Sequence, residues 1–146
     1  MWRHGLTMAR ELHIKNGKLY TNPIKEIDEK YEKENLLEVL NHKIKNKYFI
    51  IDEVIKEQEE PVILQFGAED DNLKLVIDFK ESKITLDRNG LAQKFDTKYG
   101  LTRSCSFEKT DKVHLKIYVD NSFVEICIND GERMMSSRVF FKQEEK

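Results

Sequence analysis

The sequence predicts an all-β fold, an antiparallel sandwich of two sheets with at most one or two short helices. Three observations carry the prediction. From residue 48 onward apolar and polar residues alternate mostly with a period of two, the period of strands with one buried face. Clusters of Asn, Asp, Gly and Ser separate the runs at short intervals, as in sandwiches. The 146 residues suit one domain, large enough to bury a core without disulfide or metal.

The first element is a hairpin within "ELHIKNGKLY" (11–20). Asn16-Gly17 stands between two short alternating runs, and that dipeptide favours the positive φ of a type I′ turn. Pro23 closes it. Ile24, Ile27 and Tyr31 then follow helical spacing and predict a short helix over 24–31. The next stretch, "ENLLEVLNHKI", is also compatible with a helix. After it the strands follow: "PVILQF" (61–66) with Val62, Leu64 and Phe66 on one face, and "LKLVIDF" (73–79) with Leu73, Leu75, Ile77 and Phe79. "KITLD" (83–87) adds Ile84 and Leu86. Turns are expected at Glu69-Asp70-Asp71-Asn72, Glu81-Ser82 and Asp87-Arg88-Asn89-Gly90. "KVHLKIYV" (112–119) puts Val113, Leu115, Ile117 and Val119 on one face against His114, Lys116 and Tyr118. Asp120-Asn121-Ser122 turns the chain into 123–129, with Val124, Ile126 and Ile128 against Phe123, Glu125 and Cys127. Asn129-Asp130-Gly131 turns it again into 133–141, completing a three-stranded meander. The charged tail "KQEEK" is expected to fray.

Composition excludes several classes. Lys+Arg 25 against Asp+Glu 27 gives a net charge of −2, with no basic footprint for nucleic acid. No apolar run approaches the ~18–20 residues of a membrane-spanning helix. Neither nucleic acid nor membrane is therefore an expected partner. Cys105 and Cys127 lack metal-ligand or redox spacing and are read as free thiols of a reducing compartment. His4, His13, His42 and His114 show no paired spacing, so no metal and no cofactor is expected. Ser104, Ser136 and Ser137 lack the context of a nucleophile elbow.

One cluster does look chemical: Glu125, Asp130 and Arg138 lie within the last meander. Asp130, between Asn and Gly, is expected to satisfy local backbone donors. Glu125 is expected to be exposed or paired with a cation such as Arg138 or Arg103. Tyr118 and Phe123 could stack on a sugar ring, although half-buried strand positions favour aromatics anyway. Spacing shows no catalytic machinery.

Three segments carry a resemblance. "VEICINDGERMMSSRVF" is similar to the V-E-I-F-x-N-D-G-E-x-x-x-T-S-R-I-F-P signature of glycoside hydrolase family 32. "GLTMARELHIKNGKLYTNPIKEI" is similar to the M-T-L-P-R-E-L-x-x-x-x-G-x-L-x-Q-x-P-x-x-E-L segment where that family leaves its catalytic domain, and "YGLTRSCSF" resembles its R-S-x motif. Ala9 for Pro, Cys127 for Phe and Phe141 for Pro depart from the pattern without touching chemistry. The resemblance implies a C-terminal sandwich of jelly-roll or concanavalin-like type over 11–146, with 1–10 as the end of a linker from an N-terminal five-bladed propeller. The family's catalytic strings, W-M-N-D-P-N-G, R-D-P and E-C, do not occur, so no catalytic residue is carried over.

The implied role is a non-catalytic module of a retaining, cytoplasmic hydrolase of β-fructofuranosides such as sucrose and sucrose 6-phosphate. It would support the catalytic domain and an oligomer interface. The alternatives are a stand-alone fructan- or sugar-binding sandwich and an unrelated β interaction domain. Residues before about Glu11, with Trp2, Leu6 and Met8, are expected to be mobile or to pack on a second copy.

Overall fold

The computed structural model describes residues 5–40, 48–95 and 97–142. Trp2, His4, His42 and the tail from Gln143 lie outside them, so the expectations for those residues stay with the sequence. The chain opens with the hairpin of β1 (Arg10–Lys15) and β2 (Lys18–Pro23), in register from Arg10–Pro23 to Lys15–Lys18. Asn16 and Gly17 have φ of 51° and 73°, the left-handed pair that the two-residue turn demands. A short helix, α1 (Lys25–Lys30), follows where the Ile24, Ile27, Tyr31 spacing placed it. After β3 (Glu32–Lys33), helix α2 (Leu36–Leu40) starts on Asn35, whose side-chain oxygen accepts the Leu37 N–H at 2.9 Å. Leu36 and Val39 of α2 are buried.

The remaining strands are β4 (Tyr48–Lys56), β5 (Val62–Ala68), β6 (Asp71–Asp78), β7 (Lys83–Asp87), β8 (Thr102–Ser106), β9 (Lys112–Asp120), β10 (Phe123–Ile128) and β11 (Arg133–Arg138). They form a five-stranded sheet, β11-β10-β9-β4-β3, and a four-stranded sheet, β5-β6-β7-β8. After β4 the chain leaves the larger sheet, builds the smaller one as a meander, and returns with β9 antiparallel to β4. All pairs are antiparallel except β3 with β4.

The alternation read from the sequence determines which side chains meet between the sheets. Ile51 of β4, Leu75 and Ile77 of β6, Ile84 of β7, Val113 and Leu115 of β9 and Ile128 of β10 are at most 1% exposed and share one cluster. Each fully buried aliphatic side chain contributes about 1.5–3 kcal/mol. Cys105 and Cys127 are both free, on different sheets.

The larger sheet is covered on both faces. On its outer side Ile50, Tyr118 and Cys127 form a second cluster with Met8, Ile27, Tyr31 and Met134. Met8 and Arg10 therefore pack on the chain's own sandwich, where the sequence predicts mobility or a second copy, while Leu6 is 94% exposed. The physical reason is a buried carboxylate, described next.

Candidate functional site: the charged outer face

Strand register arranges the outer face in rows. Ile50, Tyr118, Glu125 and Ser136 stand side by side across β4, β9, β10 and β11, as do Asp52, Lys116, Cys127 and Met134. Glu125 is 1% exposed. Its Oε1 accepts from Arg10 Nη2 at 2.6 Å and from Ser136 Oγ at 3.2 Å, and its Oε2 accepts the Met8 N–H at 2.7 Å. A buried carboxylate is costly unless paired and hydrogen-bonded. The incoming chain meets both needs, with one backbone amide and one guanidinium.

The three residues singled out by spacing do not come together. Glu125 pairs with Arg10, not with Arg138 or Arg103. Arg103 donates instead to the carbonyls of Tyr99 and Thr102. Arg138 donates to Ser122 Oγ at 3.0 Å, and its guanidinium lies 4.4 Å from the Phe123 ring centroid and 5.1 Å from that of Phe140. Phe140 meets Phe95 edge-on at 5.4 Å, and Arg88 lies 4.9 Å above Phe95. The S-R-V-F string thus belongs to a ladder of cations and rings at one end of the sandwich. Gly5 fits against it, because a Cβ there would stand 2.4 Å from the Phe123 ring. Asp130, expected to serve local backbone donors, reaches His114 Nδ1 at 2.8 Å instead. Neither aromatic offered as a sugar platform presents an open ring: Phe123 lies under Arg138, and Tyr118 is 2% exposed.

Two further polar groups form on this face. Asp28 of α1 accepts from Tyr118 Oη at 2.8 Å and pairs with Lys116 Nζ, which ties the helix to the sheet. Burial first, then the bond to Asp28, pushes the Tyr118 phenol far above its ordinary range. Burial likewise raises the Cys127 thiol to about 11, helped by Asp130. His114 bridges Asp52 at 2.6 Å and Asp130 at 2.8 Å, and Lys33 reaches Asp52 at 3.3 Å. Burial pulls the His114 pKa down, but the two carboxylates outweigh it and raise it above 6.5. Burial pushes Asp52 up, and the bonds from His114 and Lys33 outweigh that, leaving it below its ordinary value.

A pH dependence follows. A histidine raised on folding contributes stability that is whole below its unfolded value near 6.5 and is lost as pH rises through the folded value. A lowered carboxylate contributes above its unfolded value near 3.8 and loses it as pH falls through the folded value. The bridge is therefore strongest between these limits. In thermal melts the advantage of the wild type over His114→Gln is expected to be larger at pH 5.5 than at pH 8.5. An advantage that grew with pH would contradict the arrangement.

Sequence spacing does not identify Arg10, Asp28, Asp52 and His114 as partners. One signal pointed toward them: the non-core face of 112–128 carries Tyr118, Phe123 and Cys127 among its polar residues, a mixture that calls for a covering layer. Among the described residues no group of three or more His, Cys, Asp or Glu is placed to hold a metal ion, and no helix is long and apolar enough to cross a membrane.

Comparison with known proteins agrees with this architecture. Residues 18–146 match the family model described as "Glycosyl hydrolases family 32 C terminal". The sucrose-6-phosphate hydrolase of Staphylococcus xylosus is 34% identical over 95% of this chain and 30% of its own length. That of Escherichia coli is 31% identical over 99% of this chain and 31% of its own. The structure of sucrose-6-phosphate hydrolase from Lactobacillus gasseri superposes with a TM-score of 0.71 at 24% identity, over 91% of this chain and 28% of that one, a likeness of fold. The chain thus spans about 30% of the length of these curated relatives. With the match covering the sandwich from β2 to the end of the chain, it belongs to the C-terminal domain family of the family 32 glycosyl hydrolases.

Proposed function

We propose that this chain is the non-catalytic β-sandwich module of a cytoplasmic, retaining β-fructofuranosidase that acts on sucrose 6-phosphate or sucrose. In this reading it supports an N-terminal propeller that carries the chemistry. The observation behind it is the family match over 18–146, together with relatives named sucrose-6-phosphate hydrolase that are about three times as long. The site geometry is in keeping. A retaining glycosidase needs two carboxyl groups ~5–5.5 Å apart, one free to attack and one to donate a proton. Both oxygens of Glu125 are engaged by Arg10, Ser136 and Met8, and Asp28 is held by Lys116 and Tyr118.

The test is an assay of the purified chain with sucrose and with sucrose 6-phosphate. The expected result is hydrolysis no faster than buffer. Turnover that disappeared in Glu125→Gln would overturn the reading and make Glu125 a catalytic group.

A further inference from the structure

The hairpin has two unlike faces. β1 and β2 pair only with each other among the described strands, and their register sets Ile14 against Leu19 and Leu12 against Thr21. By alternation these residues share one face, and His13, Tyr20 and Asn22 share the other. The second face meets the sandwich: Asn22 Oδ1 accepts from the Cys127 thiol at 3.4 Å, and Tyr20, with the neighbouring Leu19 at its edge, lines a groove with Glu108 and Glu132. On the first face Leu12 and Ile14 are 68% and 77% exposed, and Leu19, at the edge of the groove, is 59% exposed. Antiparallel strands with one solvated side normally carry polar residues there, and adjoining exposed aliphatics mark an interaction surface.

Its position in the chain points to the occupant. The family match begins at residue 18, so β1 precedes the C-terminal domain as the family defines it. Yet the relatives align over 95% and 99% of this chain and continue for about twice its length beyond it. β1 is thus shared with the longer enzymes while lying at the boundary of the sandwich. We propose that the Leu12–Ile14–Leu19 face is the docking surface for an apolar patch on the catalytic module, an inference that rests on the function proposed above. Patch size favours this occupant over a second copy. Three aliphatic side chains are far fewer than the ~20–30 residues a side of a free-standing interface. A covalently joined module meets them at ~mM effective concentration, where a small patch suffices.

Hydrogen exchange tests the proposal. The amides of residues 12–19 are followed in the 146-residue chain alone, and in a fusion where it replaces the C-terminal part of the S. xylosus enzyme. The same pair is made with Leu12→Ser, Ile14→Thr and Leu19→Ser together. In a fusion that hydrolyses sucrose 6-phosphate, exchange of the hairpin is expected to slow at least tenfold relative to the isolated chain. The triple variant should return it to the isolated rate without changing the melting of the isolated chain. An active fusion whose hairpin exchanges as in the free chain would overturn the docking surface and leave the proposed function standing. Concentration-dependent protection of the isolated chain, abolished by the triple variant, would overturn it in favour of a second copy. An inactive fusion beside an active S. xylosus enzyme would remove the proposed function itself, and the docking surface with it.

Discussion

Replacing Arg10 by Met is expected to destabilise the domain by about 3–5 kcal/mol, the usual cost of removing one partner from a buried ion pair. For a chain of this size that is a fall in melting temperature on the order of 10 °C. The magnitude follows from Glu125, which is 1% exposed and has the Arg10 guanidinium as its ion-pair partner at 2.6 Å. The Met8 amide and the Ser136 hydroxyl remain as donors, so the site keeps hydrogen bonds but loses its counter-charge. Glu125→Gln is expected to cost less, about 1–3 kcal/mol, because it leaves polar groups imperfectly paired but removes the buried charge. The two changes combined should cost less than their sum, since each deletes the same interaction. Thermal or urea melts of the four proteins decide the matter. If Arg10→Met melted within about 2 °C of the wild type, the N-terminal segment would contribute nothing to the sandwich.

Gly131→Ala should release the hairpin from the sheet. Asn129, Asp130 and Gly131 have successive φ values of 49°, 58° and 102°. Asn and Asp tolerate the first two, but a side chain at 102° is strained at about 1–3 kcal/mol. The added Cβ would also stand 2.6 Å from the Thr21 carbonyl oxygen and 2.6 Å from Asn22 Oδ1. Backbone on β2 must then retreat, and Asn22 leaves the Cys127 thiol it covers. The expected outcome is a lower melting temperature together with faster modification of Cys127 by a thiol reagent, read in a Cys105→Ser background. Gly17→Ala is the contrast, since its Cβ would meet nothing within 4 Å and only the strain remains. Equal thiol reactivity in Gly131→Ala and the wild type would show that the hairpin does not depend on this close approach.

The elements were legible because their causes are local. Asn16-Gly17 forms a tight turn whatever surrounds it, the Ile24, Ile27, Tyr31 spacing produces a helix of one face, and the alternation of 73–79 and 112–119 sorts core from surface one residue at a time. The family signatures added the larger frame, and residues 18–146 fall within it. The partner of Glu125 was not legible in the same way. Arg138 stands closer in sequence and Arg10 is 115 positions away, and charge alone does not choose between them. The choice comes from the crossover that sets β9 and β10 in the middle of the larger sheet, leaving a second face for the incoming chain to cover. Arg138 is drawn instead onto Phe123 and Phe140 at the sandwich end. Likewise the sequence assigned Asp130 to a turn, but only the pairing of β9 with β4 and with β10 brings Asp52 and Asp130 to the two nitrogens of His114. Strand period and turn chemistry act over a few residues and are written in order along the chain. Ion pairing acts through space, and space here is organised by which strands lie side by side.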